Sequence, residues 1–196
     1  AFRLTSVSPG ALLDGWAEHF ENTAGDRVTI QLLTAFRPVV RNVLGGADRM
    51  RPSDPISVVL SPDKRYLYVS DASSETVSRV DTSTGRWLTL VRLEPYPRQT
   101  PAGTVLVDNV PTGLCWSGSK LVLGLLSAGP FPLEEASIRT VDPATGATDI
   151  LARGLTAVTD IGCSGASKVI ASEFTIDLTA PAPSGRLKVI EGGTTR

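Results

Sequence analysis

The sequence predicts an all-β fold, and within that class a β-propeller built of four-stranded antiparallel blades. From residue 54 onward, short runs rich in Val, Leu and Ile alternate with clusters of Gly, Pro, Asp and Ser, which is the pattern of strands joined by tight turns. The turn VDTSTG at 80–85 recurs as VDPATG at 141–146. Both turns follow a third strand, so they indicate a repeating unit.

Three successive units share one order of strands. Each begins with an apolar inner strand at 57–60, 113–116 and 161–163, and continues with a second strand at 66–70, 121–125 and 169–172. The third strand ends in Asp81, Asp142 or Glu191, and a fourth is predicted at 87–93 and 147–155. A constant four-strand order, with length variation in Pro- and Gly-bearing loops, favours a propeller over the alternative, a β-sandwich.

The first 53 residues differ from the repeats. The segment 8–26 has a Ser-Pro start, apolar residues at helical spacing and Gly25 as a stop, so it predicts an amphipathic helix that carries His19 on its solvent face. A strand follows from residue 27. We therefore divide the chain into a helix and partial blade (1–53) and three blades of the same domain (54–196).

Three blades and a partial one leave a ring that we expect to be incomplete, because an open ring exposes an apolar blade face. A longer polypeptide, a protein partner, or closure as a small four-bladed ring would each complete it. The segment GRLKVIEGGTTR (185–196) ends after a predicted third strand, which favours the first two alternatives.

Charge and hydropathy exclude some classes of partner. The 196 residues carry a net charge of −1 without a run of one sign, so no nucleic-acid partner is expected. The apolar run at 121–126 is much shorter than the roughly 20 residues of a membrane-spanning helix. Because the sequence begins with Ala1 rather than Met, we predict a processed or truncated N-terminus from which any signal peptide has been removed.

Four motifs carry a resemblance to a known family. They are VPTG (110–113), GPFP (129–132), VDPATG (141–146) and GLTAVTD (154–160), and the chain resembles the ScyD/ScyE family of β-propeller proteins through them. The resemblance implies an exported protein without an established catalytic role. It also implies a longer chain of about six blades.

Polar residues beside the inner strands are the candidates for chemistry. Asp54, Asn109, Asp160 and Glu173 would lie near one end of a central channel, where oxygen ligands could hold Ca²⁺. The alternative is that they cap strands and turns. Asp160 is the strongest candidate because the repeat does not require an acid there, whereas Asp81, Asp142 and Glu191 recur beside turns and are predicted to accept turn N–H groups. No other cofactor is expected.

Cys115 and Cys163 align at equivalent positions of neighbouring units. Equivalent positions on neighbouring sheets are about 10 Å apart, whereas a disulfide needs Cα atoms within about 7 Å. The alignment therefore favours two free buried thiols over a disulfide.

Two functions remain open. The first is a non-catalytic binding or assembly module that uses the Pro-rich segments 95–104, 128–136 and 178–185 as a contact surface. The alternative is a metal-assisted hydrolase of the lactonase or strictosidine-synthase-like type with its site in the channel.

Overall fold

The structure, a computed structural model, describes residues 2–8, 17–31, 33, 34, 36, 39–41, 49–51, 53–175, 184–192, 194 and 195. Side chains are described for 21–27, 33, 34, 36, 53–175 and 184–192.

The described residues form sheets of antiparallel strands joined in chain order. The N-terminal sheet contains β1 (Phe2–Ser8), β2 (Ala17–Asn22) and β3 (Arg27–Gln31), and a hairpin of β4 (Val39–Arg41) and β5 (Arg49–Arg51) follows it. Blade 1 consists of β6 (Pro55–Leu60), β7 (Tyr66–Asp71), β8 (Thr76–Asp81) and β9 (Trp87–Arg92). A second hairpin contains β10 (Tyr96–Thr100) and β11 (Gly103–Val107).

Blade 2 consists of β12 (Asn109–Ser117), β13 (Lys120–Ser127), β14 (Ala136–Val141) and β15 (Thr148–Leu155). Blade 3 consists of β16 (Val158–Ser164), β17 (Lys168–Glu173), β18 (Arg186–Glu191) and β19 (Thr194–Thr195).

These sheets confirm the predicted all-β fold of four-stranded antiparallel blades. The first strand of blade 2 contacts the first strands of both blade 1 and blade 3, so the three blades stack face to face through their inner strands. Hydrogen bonds cross between blades 1 and 2, among them those from Ser70 Oγ to the carbonyl of Thr112 and from the amide of Leu114 to Ser57 Oγ. This stacking is the arrangement of blades in a β-propeller.

The helix predicted over 8–26 is wrong where the structure describes it. Residues 17–22 form β2, which pairs with β1 on one side and β3 on the other, and His19 lies opposite Ser6 and Thr29. The two strands that adjoin the segment in the chain supply its backbone hydrogen bonds, a contribution that apolar spacing alone cannot reveal. Residues 9–16 lie outside the described part. In the described ranges there is no helix long and apolar enough to span a membrane.

Two further details differ from the sequence interpretation. The segment predicted as a loop between blades 1 and 2 contains the hairpin β10–β11. The hairpin β4–β5 occupies the corresponding place before blade 1. Blade 3 continues beyond its third strand into β19, where Thr195 pairs with Ile190.

Blade 2 is buried on both faces because its strands alternate their side chains. Leu121 and Leu123 of β13 pack toward blade 1 with Tyr68 and Val77, whereas Val122 packs toward blade 3. Side chains of a strand alternate between its two faces, and here both faces are covered by a neighbouring blade. Successive residues are therefore apolar, which explains the sequence LVLGLL.

The recurring turns have the structural role that the repeat predicts. Asp81 Oδ1 accepts hydrogen bonds from the Ser83 hydroxyl and from the amides of Thr84 and Ser83, and these bonds, the hydroxyl's above all, lower the pKa of Asp81 to about 2. Asp142 Oδ1 accepts the equivalent amides of Ala144 and Thr145. Both carboxylates therefore stabilise the turn.

The glycine that closes each turn also contacts a neighbouring backbone. A Cβ atom at Gly146 would lie 2.1 Å from the carbonyl oxygen of Leu90 in blade 1, and one at Gly85 would lie 2.2 Å from that of Leu33. Both glycines have positive φ, at 77° and 67°. The motif thus requires Gly for its turn and for the approach of the next unit.

Replacing Gly146 by Ala should destabilise the protein by more than about 2 kcal/mol, because the added methyl group meets a backbone atom in addition to the strained φ. Gly165→Ala is the matched control: its φ is 69°, but a Cβ there meets nothing within 4 Å. It should cost only about 1 kcal/mol. Urea unfolding of both variants measures the difference, and equal losses would contradict the close approach.

Candidate functional site

The four predicted site residues lie near the starts of inner strands or the ends of second strands. Asp54 precedes β6, Asn109 begins β12, Asp160 lies in β16 and Glu173 ends β17. They therefore belong to three different blades. Their individual contacts show what each one does.

Asp160 replaces a hydrogen-bonding group that the neighbouring blade lacks. Strand pairing places Asp160 at the position held by Ser57 in blade 1, opposite Ser172 and Ser70 respectively. Between blades 1 and 2, Ser57 Oγ accepts an amide hydrogen from the next inner strand. Between blades 2 and 3 the equivalent position is Gly113, which has no side chain.

The amide of Ile161 is therefore satisfied by the Oδ1 atom of Asp160 itself, at 2.8 Å. The two inner strands also approach closely, since a Cβ at Gly113 would lie 2.3 Å from this same oxygen. The carboxylate of Asp160 thus has a structural role at the contact between blades.

Glu173 is a buried carboxylate that holds the segment entering blade 3. Its Oε1 atom accepts the amide hydrogen of Thr156, and Arg186 donates to both carboxylate oxygens, with Nε 2.5 Å from Oε2. The ion pair raises the pKa of Arg186, mainly through the hydrogen bond to Glu173. Because both carboxylate oxygens of Glu173 are bonded to Thr156 or Arg186, this carboxylate stabilises the fold.

Asp71 holds the segment entering blade 1 in the same way, and it was not among the site residues predicted from the sequence. Asp71 and Glu173 end equivalent strands, opposite Pro55 and Val158. Asp71 accepts hydrogen bonds from Ser53, from the amide of Asp54 at 3.0 Å and from that of Ser74 at 2.8 Å. Burial opposes its ionisation, but these bonds outweigh burial and hold the pKa of Asp71 below its usual value. The sequence signal was an acid ending the second strand in two units.

Asn109 and Asp54 complete the set. Asn109 is buried, and its side-chain amide donates to the carbonyl of Glu94, at 2.7 Å, which ties the first strand of blade 2 to the segment after blade 1. The side chain of Asp54 is exposed, and its backbone bonds to Asp71 and Ala72. Among the described residues, no three His, Cys, Asp or Glu side chains are grouped so that they could hold a metal ion.

Cys115 and Cys163 form a disulfide, so the preference for free thiols was wrong. Their Cα atoms are 5.6 Å apart. Cys163 pairs with Val169 and so matches the position of Trp116, which pairs with Leu121, rather than that of Cys115. This shift of one residue turns Cys163 to the other face of its strand, toward blade 2, whereas Cys115 points toward blade 3. Two cysteines at equivalent positions would instead point in the same direction.

A polar junction joins the hairpin β10–β11 to the loop that contains GPFP. Arg98 Nε lies 2.7 Å from Glu135 Oε1, and the hydroxyl of Tyr96 donates to Glu135 Oε2 at 2.7 Å. Burial would raise the pKa of Glu135, but Arg98 and Tyr96 lower it below its usual value. The hairpin and the loop are thereby held together as one surface.

A pocket of about 360 Å³ lies beside this junction. It is lined by Tyr96, Asn109, Glu134, Glu135, Ser137, Arg139, Ile150 and Arg153. Of the predicted site residues, only Asn109 lines it, so the structure brings a cavity to a place that the sequence did not indicate. The arginines of strands β14 and β15 were not singled out from the sequence.

The stacked blades define the class of the chain as a β-propeller architecture. No family model matches it and no curated protein matches it, so the likeness to the ScyD/ScyE family stays a prediction.

Several solved structures are similar at low identity. An oligogalacturonate lyase in complex with manganese has 14% identity and a TM-score of 0.48, over 92% of this chain and 45% of that one. A luciferin-regenerating enzyme has 12% identity and a TM-score of 0.48, over 100% and 63%. Kuenenia stuttgartiensis hydrazine synthase has 13% identity and a TM-score of 0.38, over 92% and 58%. The chain thus spans between 45% and 63% of the length of these structures.

Arg186→Met should destabilise the protein by about 3 kcal/mol, because it leaves the buried Glu173 carboxylate without its cation. Lys168→Met is the matched control: it breaks the exposed pair with Glu191, whose atoms are 3.5 Å apart. That change should cost less than about 1 kcal/mol. Chemical denaturation measures both, and a small loss in Arg186→Met would mean that Glu173 does not depend on the ion pair.

Proposed function

We propose that this chain is a non-catalytic, extracytoplasmic binding or assembly module. The observation that carries the proposal is the junction at Glu135, which joins two of the three segments predicted as contact surface, 95–104 and 128–136. The third segment, 178–185, lies outside the described residues except for 184 and 185.

The joined surface exposes apolar side chains on a fixed support. Phe131 and Leu133 of the loop are 45% and 49% exposed, and Leu106 of the hairpin is 38% exposed. Tyr96 adds a contact of 3.3 Å to Ser127 Oγ, which ties the hairpin to the end of β13. Large apolar groups held in one arrangement lose little conformational entropy on binding, so they are suited to contact another protein.

The disulfide supports an extracytoplasmic location. Disulfides persist in oxidising compartments and are rare where thiols are kept reduced. The Cys115–Cys163 bond joins the inner strands of blades 2 and 3, where it would stabilise a protein outside the reducing cytoplasm.

Replacing Phe131 and Leu133 together by Ser should abolish partner binding without unfolding the protein, because both side chains are exposed. Leu60 and Leu88, also exposed but in blade 1, provide the control double variant. Tagged proteins are expressed with an added export signal and purified after cross-linking, and the bound proteins are quantified by mass spectrometry. Partners that bind the Phe131/Leu133 variant as strongly as the control would refute this surface.

We also propose that a protein partner, or further blades of a longer polypeptide, cover the outer face of blade 3. Leu187 pairs with Ser172 and is equivalent to Val77 of blade 1 and Ile138 of blade 2. Val77 and Ile138 are completely buried against the following blade, whereas Leu187 is 71% exposed. A position that buries an apolar side chain in two blades is suited to receive another blade in the third.

In the native protein, Leu187→Ala should cost about 2 to 4 kcal/mol, as Ile138→Ala should, because both would leave a cavity between blades. Leu133→Ala, at an exposed loop position, should change stability by less than about 0.5 kcal/mol. Thermal and urea unfolding compare the three. An intact mass above 20.7 kDa would indicate a longer chain. An intact mass of 20.7 kDa with a larger native mass would indicate a partner. A Leu187 variant as stable as the Leu133 variant would exclude a covering blade.

A further inference from the structure

The pocket beside Glu135 contains two arginines without an anionic partner. Arg139 lies in β14 on the face of blade 2 opposite Ile138, and Arg153 lies on the adjacent strand β15. The Arg139 Nε atom is buried and has no hydrogen-bond partner. Within the described part of the chain, neither guanidinium group takes part in an ion pair.

Two carboxylates, Glu134 and Glu135, also line the pocket. Glu135 is bonded to Arg98 and Tyr96. Glu134 forms no ion pair with either arginine among the described residues, and its charge acts on Arg186. Neither guanidinium group is therefore held by a carboxylate of the pocket.

This arrangement is unfavourable for the protein alone. Burial, and then the charge of Arg153, lower the pKa of Arg139. A desolvated cation beside a like charge loses hydration without gaining a partner, and an orphaned donor adds to that loss. An oxyanion would satisfy both arginines at once, since the guanidinium fork matches the geometry of carboxylate and phosphate oxygens.

We infer that the pocket lined by Arg139, Arg153 and Tyr96 binds the oxyanion group, a carboxylate or a phosphate, of a small ligand. The volume of about 360 Å³ accommodates a small molecule and not only an ion. Asn109 and Ser137 also line the pocket and offer polar groups to the remainder of the ligand. This inference goes beyond the proposed function, because the pocket does not depend on whether the surface around Phe131 contacts a protein.

Titration calorimetry and thermal unfolding of the native protein test the site with two probes, inorganic phosphate and succinate. Both are added at constant ionic strength, with chloride as the reference anion, because unspecific screening affects all arginines alike. We expect at least one probe to bind and to raise the melting temperature above the chloride value. The probe that binds more tightly identifies the ligand group as phosphate or carboxylate.

Arg139→Met and Arg153→Met should each weaken that binding by about tenfold or more, which corresponds to the loss of a charge-assisted hydrogen bond. Arg139→Lys should bind with intermediate affinity, because it keeps the charge and loses the fork. Arg65→Met is the control, since Arg65 lies over the ring of Tyr66 and outside this pocket. It should bind the probe as the unmodified protein does.

The variants also separate a ligand site from a structural role. Without a probe, Arg139→Met should melt no lower than the unmodified protein, because the replaced group has no partner to lose. Arg153 is exposed, so its variant tests the site even if Arg139→Met fails to fold. Absence of phosphate and succinate binding, or unchanged binding in Arg153→Met, would overturn the inference.

Discussion

The contact between neighbouring blades is the constraint on which this structure depends. A strand in the middle of a blade directs alternate side chains to two different neighbours, so β13 of blade 2 is apolar toward both blade 1 and blade 3. The same alternation determines the disulfide, because Cys163 reaches Cys115 only by occupying a position one residue out of step with the repeat. Close backbone contact at Gly113 and Gly146 then leaves no space for a side chain between units.

Carboxylates near the inner strands serve this contact. Glu173 and Asp71 each hold the segment that enters a blade, and Asp160 supplies the acceptor that Gly113 cannot. The hydrogen bonds of these three carboxylates therefore hold strands and entering segments in place. Near the hairpin β10–β11 lie the exposed side chains of Phe131 and Leu133, and the pocket with Arg139 and Arg153, neither of which forms an ion pair among the described residues.

Local rules were sufficient for the repeating part of the fold. The strands of blades 1 to 3 and the carboxylate-capped turns at Asp81 and Asp142 follow from alternation and from turn chemistry, which act over a few residues. Prediction failed where pairing with another strand determines the backbone conformation. Residues 17–22 have apolar spacing compatible with a helix, but β1 and β3 hold them as a strand. Among the predicted site residues, only Asn109 reaches the pocket.

The sequence by itself determined that the chain forms repeated four-stranded units, because period, turns and glycines are all local properties. Only the tertiary structure decided which residues those units bring together. A shift of one residue reverses the face of a strand, and an alignment of repeats cannot resolve a shift of that size. The disulfide, the buried carboxylates and the pair Arg139 and Arg153 therefore became visible only when the register between strands and the stacking of blades were known.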